Sequence, residues 1–127
     1  MAGLIWFVQL VHYPAYHHVG SAEFQRYQTH HQRATSWVVG PPMLLELATT
    51  LALILRPIPS VPAAWPWIGL ILLAIIWLST ALLQVPLHTK LLTAPTPAHI
   101  RRLVQTNWLR TIAWTLRAAL SLAMLAA

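Results

Sequence analysis

The sequence predicts an all-α membrane protein: a four-helix transmembrane bundle with a short amphipathic helix leading into the second span. Three observations predict it. Charged residues make up 8% of the chain against 57% hydrophobic, whereas a soluble domain carries about 25% charged residues. The stretch WPWIGLILLAIIWLSTALLQVPL, residues 65–87, has no charge, and it has the roughly 20 residues that an α-helix needs to cross hydrocarbon. Further apolar runs flank it, separated by proline-rich breaks. The 127 residues are read as one integral membrane domain, 1–127.

The first span, about residues 2–19, crosses only if its helix runs past Pro14 with a kink. MAGLIWFVQLVHYP has no basic n-region and no small-x-small cleavage site follows it, so it reads as a retained span and not a signal peptide. Residues 21–38 place Phe24, Tyr27, His31, Ala34 and Val38 at alternating steps of three and four, a helical stripe. Ser21 serves as N-cap and Glu23 lies in the first turn. The second span, 38–56, carries Pro41 and Pro42 near its start, where proline is tolerated, and Glu46 inside it. The third covers 65–87 and the fourth 103–126. RPIPSVPAAWP (56–66) and TKLLTAPTPAHIRR (89–102) are connections.

The first and third connections hold Arg26, Arg33, Lys90, Arg101 and Arg102, and the second only Arg56. Lys and Arg favour cytoplasmic loops, so both termini are expected on the non-cytoplasmic side.

Composition excludes several chemistries. Without cysteine there are no disulfides and no thiolate ligands or nucleophiles. Glu23 and Glu46 are the only acids, too few for a di-iron carboxylate bundle, which draws on about four Glu and two His. The net charge of +6 comes from eight scattered Lys and Arg, not a nucleic-acid-binding patch. No G-x-S-x-G elbow and no phosphate-cradling glycine pattern occurs.

The last span carries polar residues where a membrane helix should have none. His99, Arg102, Thr106, Asn107, Arg110, Trp114, Arg117 and Ser121 form one stripe, broken by Leu103, Ala113 and Met124. A charge inside a membrane costs on the order of 2.5–3.5 kcal/mol, so such residues turn inward and pair. At about 1.5 Å rise per residue, Arg110 and His12 lie about 12 Å inside and Glu46 about 15 Å. The expected polar cluster is His12, Glu46, Gln84, Asn107, Arg110 and Arg117, with Gln9 able to join. Glu46 is expected to meet Arg110, with Arg117 the second choice. A purely structural reading makes the pair a lock between two helices and lets Arg117 snorkel to the far interface. His12, His30 or His31 with Glu46 have the composition of a single-metal site, and His12 or His88 that of an axial haem ligand. The competing reading places His17, His18, His30, His88 and His99 at the headgroup level.

VQLVHYPAY, the pattern formed by Phe24, Tyr27, His31 and Arg33, VVGPPMLLE, QVPLHTKL and NWLRTIAWTLR together resemble an uncharacterised family of small bacterial four-helix membrane proteins similar to the anthrone oxygenases. The resemblance implies a four-helix transmembrane bundle in a bacterial inner membrane and, if the oxygenase chemistry carries over, a pocket for an aromatic polyketide near His12, Asn107 and Arg110.

Two functions follow as expectations. One is a non-catalytic subunit or hydrophobic-ligand-binding module of a larger membrane assembly. It would contact membrane lipid, other membrane protein subunits or further copies of itself, and a quinone, pigment or aromatic ligand. The other is a membrane-embedded oxygenase-like enzyme acting on an aromatic or quinone-like substrate. No catalytic residue, metal or cofactor is assigned from the sequence, and nucleic acid is not expected as a partner.

Overall fold

The computed structural model describes residues 1–127. It is helical over 88% of the chain and contains no strand. Three helices, Ser21–Leu55 (α2), Ala64–Thr93 (α3) and Pro97–Ala126 (α4), are long and apolar enough to cross a membrane. Ahead of them runs a shorter helical segment, residues 2–18 (α1).

Two prolines shape α1 and α3 in the same way. Proline has no N–H and collides with the carbonyl four residues back. The turn before Pro14, Val8–His12, widens into a π turn in which the Tyr13 N–H bonds to the Val8 carbonyl. In α3 the turn before Pro86, Thr80–Gln84, does the same, with the Val85 N–H on the Thr80 carbonyl. Each π turn adds a residue to the helical repeat and so re-aims the side chains beside it. Such turns recur at functional sites.

Ser21–Leu55 is one unbroken helix of 35 residues with Pro41 and Pro42 inside it. The expected amphipathic helix and second span are therefore a single element. The two prolines cost two backbone hydrogen bonds and free the carbonyls of Trp37 and Val38, but the turns on either side hold the helix together. At the start of α4 the Thr96 hydroxyl accepts from the His99 N–H (3.2 Å), with Pro97 in the first turn.

α1 packs on α4, α4 on α3, and α3 on α2, with α2 resting on the parts of α3 that flank its π turn. The seam between α1 and α2 is the loosest. Two apolar clusters form the core. Tyr13, Tyr16, Phe24, Leu87, Leu91, Ile100 and Leu103 fill one end. Ile5, Met43, Leu73, Ile76, Ala113 and Trp114 fill the middle. Polar layers alternate with them: along α4, Leu103 is followed by Asn107, Arg110 and Thr111, then Ala113 and Trp114, then Arg117, all buried. Outside, Leu45, Leu55, Ile71, Leu82, Leu122 and Leu125 are among the large apolar side chains left exposed, the outer surface of a protein that inserts into a membrane.

Candidate functional site

The polar side chains inside the bundle sort into three groups. Arg117 anchors the first. Its Nε donates to the Glu46 carboxylate, its Nη1 to the Gly69 carbonyl (2.9 Å), and its Nη2 to the Thr50 hydroxyl (2.6 Å) and the Glu46 carbonyl (3.3 Å). One guanidinium thus ties α4 to both α2 and α3. Gly69 makes the seat possible, because a Cβ there would come within 2.9 Å of Nη1. Arg117 is buried, so it pairs inside the protein and does not snorkel outward.

Glu46 therefore meets the second-choice arginine, and Arg110 is left without an acid. The offset along α2 explains this. His31 touches the α3 residue His88 (ring centroids 5.4 Å apart), and the Glu46–Arg117 pair comes 15 residues later, roughly 22 Å along the helix. Arg110 falls between these levels and shares a cavity wall with Val39 and Gly40.

The second group surrounds Arg110. Gln9, placed by the α1 π turn, donates to the Val104 carbonyl (3.0 Å) and accepts from Asn107 Nδ2 (2.8 Å) and the Thr111 hydroxyl (3.2 Å). Asn107 Oδ1 in turn accepts from Arg110 Nη1 (3.2 Å). Gln84, placed by the α3 π turn, donates to the Thr106 hydroxyl (3.0 Å). The Gln84 amide is assigned on chemical grounds: the Thr106 proton is already given to the Arg102 carbonyl (2.8 Å), so Thr106 can only accept from Gln84. Gln84 Oε1 and Arg110 Nε remain buried with no hydrogen-bond partner. Native structures seldom leave such groups unpaired.

The third group is a set of rings. His88 lies between the Tyr13 hydroxyl (3.0 Å from Nε2) and Gln28 Nε2 (2.7 Å from Nδ1). Gln28 donates to Nδ1, so the proton of neutral His88 sits on Nε2 and is donated to Tyr13 Oη. The Arg110 guanidinium lies beside the same hydroxyl. His12 Nε2 and His31 Nδ1 are 2.8 Å apart, with the Thr35 hydroxyl 3.1 Å from that nitrogen. His88 is thus held within the bundle by Tyr13 and Gln28. His12 stands one residue behind the cavity wall, joined to it through His31.

A cavity of about 410 Å³ brings the last two groups together. Tyr13, His31, Thr80, Gln84, His88 and Arg110 supply its polar wall, and Leu4, Ile5, Val39, Met43 and Trp77 are among its apolar lining. It lies between α1, α2 and α3, with Arg110 of α4 at its back. Its lining residues Ser36 on α2 and Trp77 and Val85 on α3 are exposed, so it opens sideways, between helices. Ligand sites have this make-up: a mostly apolar concavity with a few convergent polar groups.

Of the six residues expected at the site, Gln84 and Arg110 line the cavity, and Asn107 supports Arg110 from behind. His12 reaches the wall only through His31, and Glu46 and Arg117 form the separate clamp. No three His or acidic side chains gather so as to hold a metal, because Glu46 faces Arg117 and not His12 and His31. Sequence reasoning missed Tyr13, Gln28, His31 and His88 as members of one interior cluster. The available signal was the pair of prolines, Pro14 and Pro86, each close to a histidine and a glutamine. Comparison with known protein families, curated proteins and solved structures gives no match to this chain, so the functional reading rests on the geometry.

Proposed function

We propose that this protein is a four-helix transmembrane bundle of the bacterial inner membrane, termini on the non-cytoplasmic side, that binds a hydrophobic, oxygen-bearing aromatic or quinone-like molecule as a ligand-binding module of a membrane assembly. One observation carries the reading. A cavity of about 410 Å³ in the bundle is walled by two buried polar side chains, Arg110 and Gln84, each with an unpartnered atom. Leaving a buried polar group unpaired costs about 1–3 kcal/mol, and a ligand oxygen that accepts from Arg110 Nε, with a hydroxyl that donates to Gln84 Oε1, recovers that. The sideways mouth supports entry from the bilayer, where such a molecule partitions.

Trp77 on the cavity wall provides an assay. Titrating the protein in lipid nanodiscs with 2-methyl-1,4-naphthoquinone is expected to quench a saturable share of tryptophan emission that disappears in Trp77→Phe. Arg110→Met, which removes the donor for the quinone oxygen, is expected to weaken binding tenfold or more while helicity is unchanged. Quenching that does not saturate, or that survives Trp77→Phe in full, refutes the site.

A second reading, an oxygenase-like enzyme acting on the same class of molecule, is supported by His31, His88 and Tyr13 standing on the wall where the ligand oxygen would lie. Imidazole and phenol groups can accept and return a proton there. Dioxygen uptake by the protein with an electron-rich hydroxyaromatic compound tests it. Binding without uptake leaves the module and removes the enzyme.

A further inference from the structure

We infer that the cavity selects a ligand carrying one negative charge: a lipophilic oxyanion, phenolate or carboxylate, with a hydroxyl beside it. This deepens the proposed binding function and rests on it.

The argument begins with charge. The chain has two acids. Glu46 is held by Arg117, and Glu23 is exposed in the first turn of α2. Neither faces Arg110, which is 7% exposed and whose hydrogen bond within the protein goes to the neutral Asn107 oxygen. The other titratable groups on residues lining the cavity are the Met1 amino group and Tyr13 from the α1 side, His31 from α2 and His88 from α3, with His12 behind His31. None of them is an acid that could neutralise a guanidinium. A buried cation without a counter-charge is costly, so the ligand that binds best brings that charge.

The number of charges follows from the same inventory. Arg110 is the one buried cation on the wall, Met1 being partly exposed, so a second negative charge beside Arg110 would itself lie unpaired in apolar surroundings. A phosphomonoester head therefore does not fit, and a singly charged oxyanion does. The Tyr13 hydroxyl, which accepts from His88 Nε2, has its own proton left for that oxyanion. Gln84 Oε1 can only accept, so it calls for a donor on the ligand. The apolar body rests against Leu4, Ile5, Met43 and Trp77.

The test uses the full chain in nanodiscs of zwitterionic lipid, so that the bilayer adds no charge. The probe is an alkylated 7-hydroxycoumarin, whose phenol and phenolate forms absorb at different wavelengths, and the comparison is its 7-methoxy ether. A bound probe is expected to ionise about 1–3 pH units lower than the same probe in protein-free discs, the shift an adjacent opposite charge produces. The ether is expected to bind at least tenfold more weakly. Arg110→Lys is expected to keep the shift and Arg110→Gln to abolish it, with circular dichroism confirming that both remain folded. Displacement of the probe by 2-naphthoate extends the site to carboxylates, and failure to displace narrows the head to a phenolate; both results uphold the charge requirement. If the probe binds but ionises as it does in empty discs, and the ether binds equally well, the charge requirement is wrong and the binding function stands. If neither compound binds, the binding function itself falls.

Discussion

Replacing Glu46 by Gln keeps the shape of the side chain and removes its charge, which leaves the buried Arg117 guanidinium facing neutral partners only. Removing one member of a buried ion pair typically costs about 3–5 kcal/mol because the other charge stays buried. Two features reduce the figure here. The Glu46 side chain is 29% exposed, against 8% for Arg117, so solvent already screens part of the pair. Arg117 also keeps the Gly69 carbonyl, the Glu46 carbonyl and the Thr50 hydroxyl as acceptors. The expected loss is about 2–3 kcal/mol. Removing both charges, with Glu46→Gln and Arg117→Met together, leaves no stranded cation, and the double variant is expected to be more stable than Glu46→Gln alone by about 1–2 kcal/mol. The assay is reversible unfolding in mixed micelles with increasing sodium dodecyl sulfate, followed by circular dichroism. A Glu46→Gln protein that unfolds at the same detergent fraction as the parent, or a double variant weaker than either single one, refutes the clamp.

Two further outcomes follow from local geometry. Gly69→Ala places a methyl 2.9 Å from Arg117 Nη1; the strained charged hydrogen bond, worth about 1.5–3 kcal/mol, outweighs the roughly 0.5–1 kcal/mol that alanine adds to helix stability. The same substitution in an Arg117→Met background is expected to stabilise, and unfolding in the same micelles reads the change of sign. Pro86→Ala restores an N–H and lets the turn at Thr80–Gln84 close to regular α geometry, rotating neighbouring side chains by up to about 100° relative to one another. Unfolding is then expected to shift to higher detergent while naphthoquinone binding, read through Trp77, drops tenfold or more; unchanged binding would show that the π turn does not shape the cavity wall.

The fold class was legible because it depends on quantities that are additive along the chain. Apolar length in residues 65–87 and scarcity of charge are enough to predict helices that cross a membrane, since exposed backbone groups in hydrocarbon leave few alternatives. The inward stripe of α4 was legible for a related reason: helical periodicity alone puts Asn107, Arg110 and Arg117 on one face, and all three are buried. The partner of Glu46 was not legible. It depends on how far along α2 the other helices pack, which contacts such as His31–His88 set. A slide of one helical turn moves a side chain by about 5 Å, enough to exchange one arginine partner for another.

The sequence by itself determined that this is an all-helical chain, with four spans expected and three of them found in helices long and apolar enough to cross a membrane, and that cationic side chains of the last helix face inward. These follow from hydrophobicity and the 3.6-residue period, which each helix carries on its own. Tertiary structure decided that Glu46 joins Arg117, that His12, Tyr13, His31 and His88 meet, and that Arg110 is left beside an open cavity. Those depend on how four helices slide and rotate against one another. That arrangement is set by a missing Cβ at Gly69 and by two widened turns ahead of Pro14 and Pro86, local departures from the ideal helix whose effect appears only where another helix packs against them.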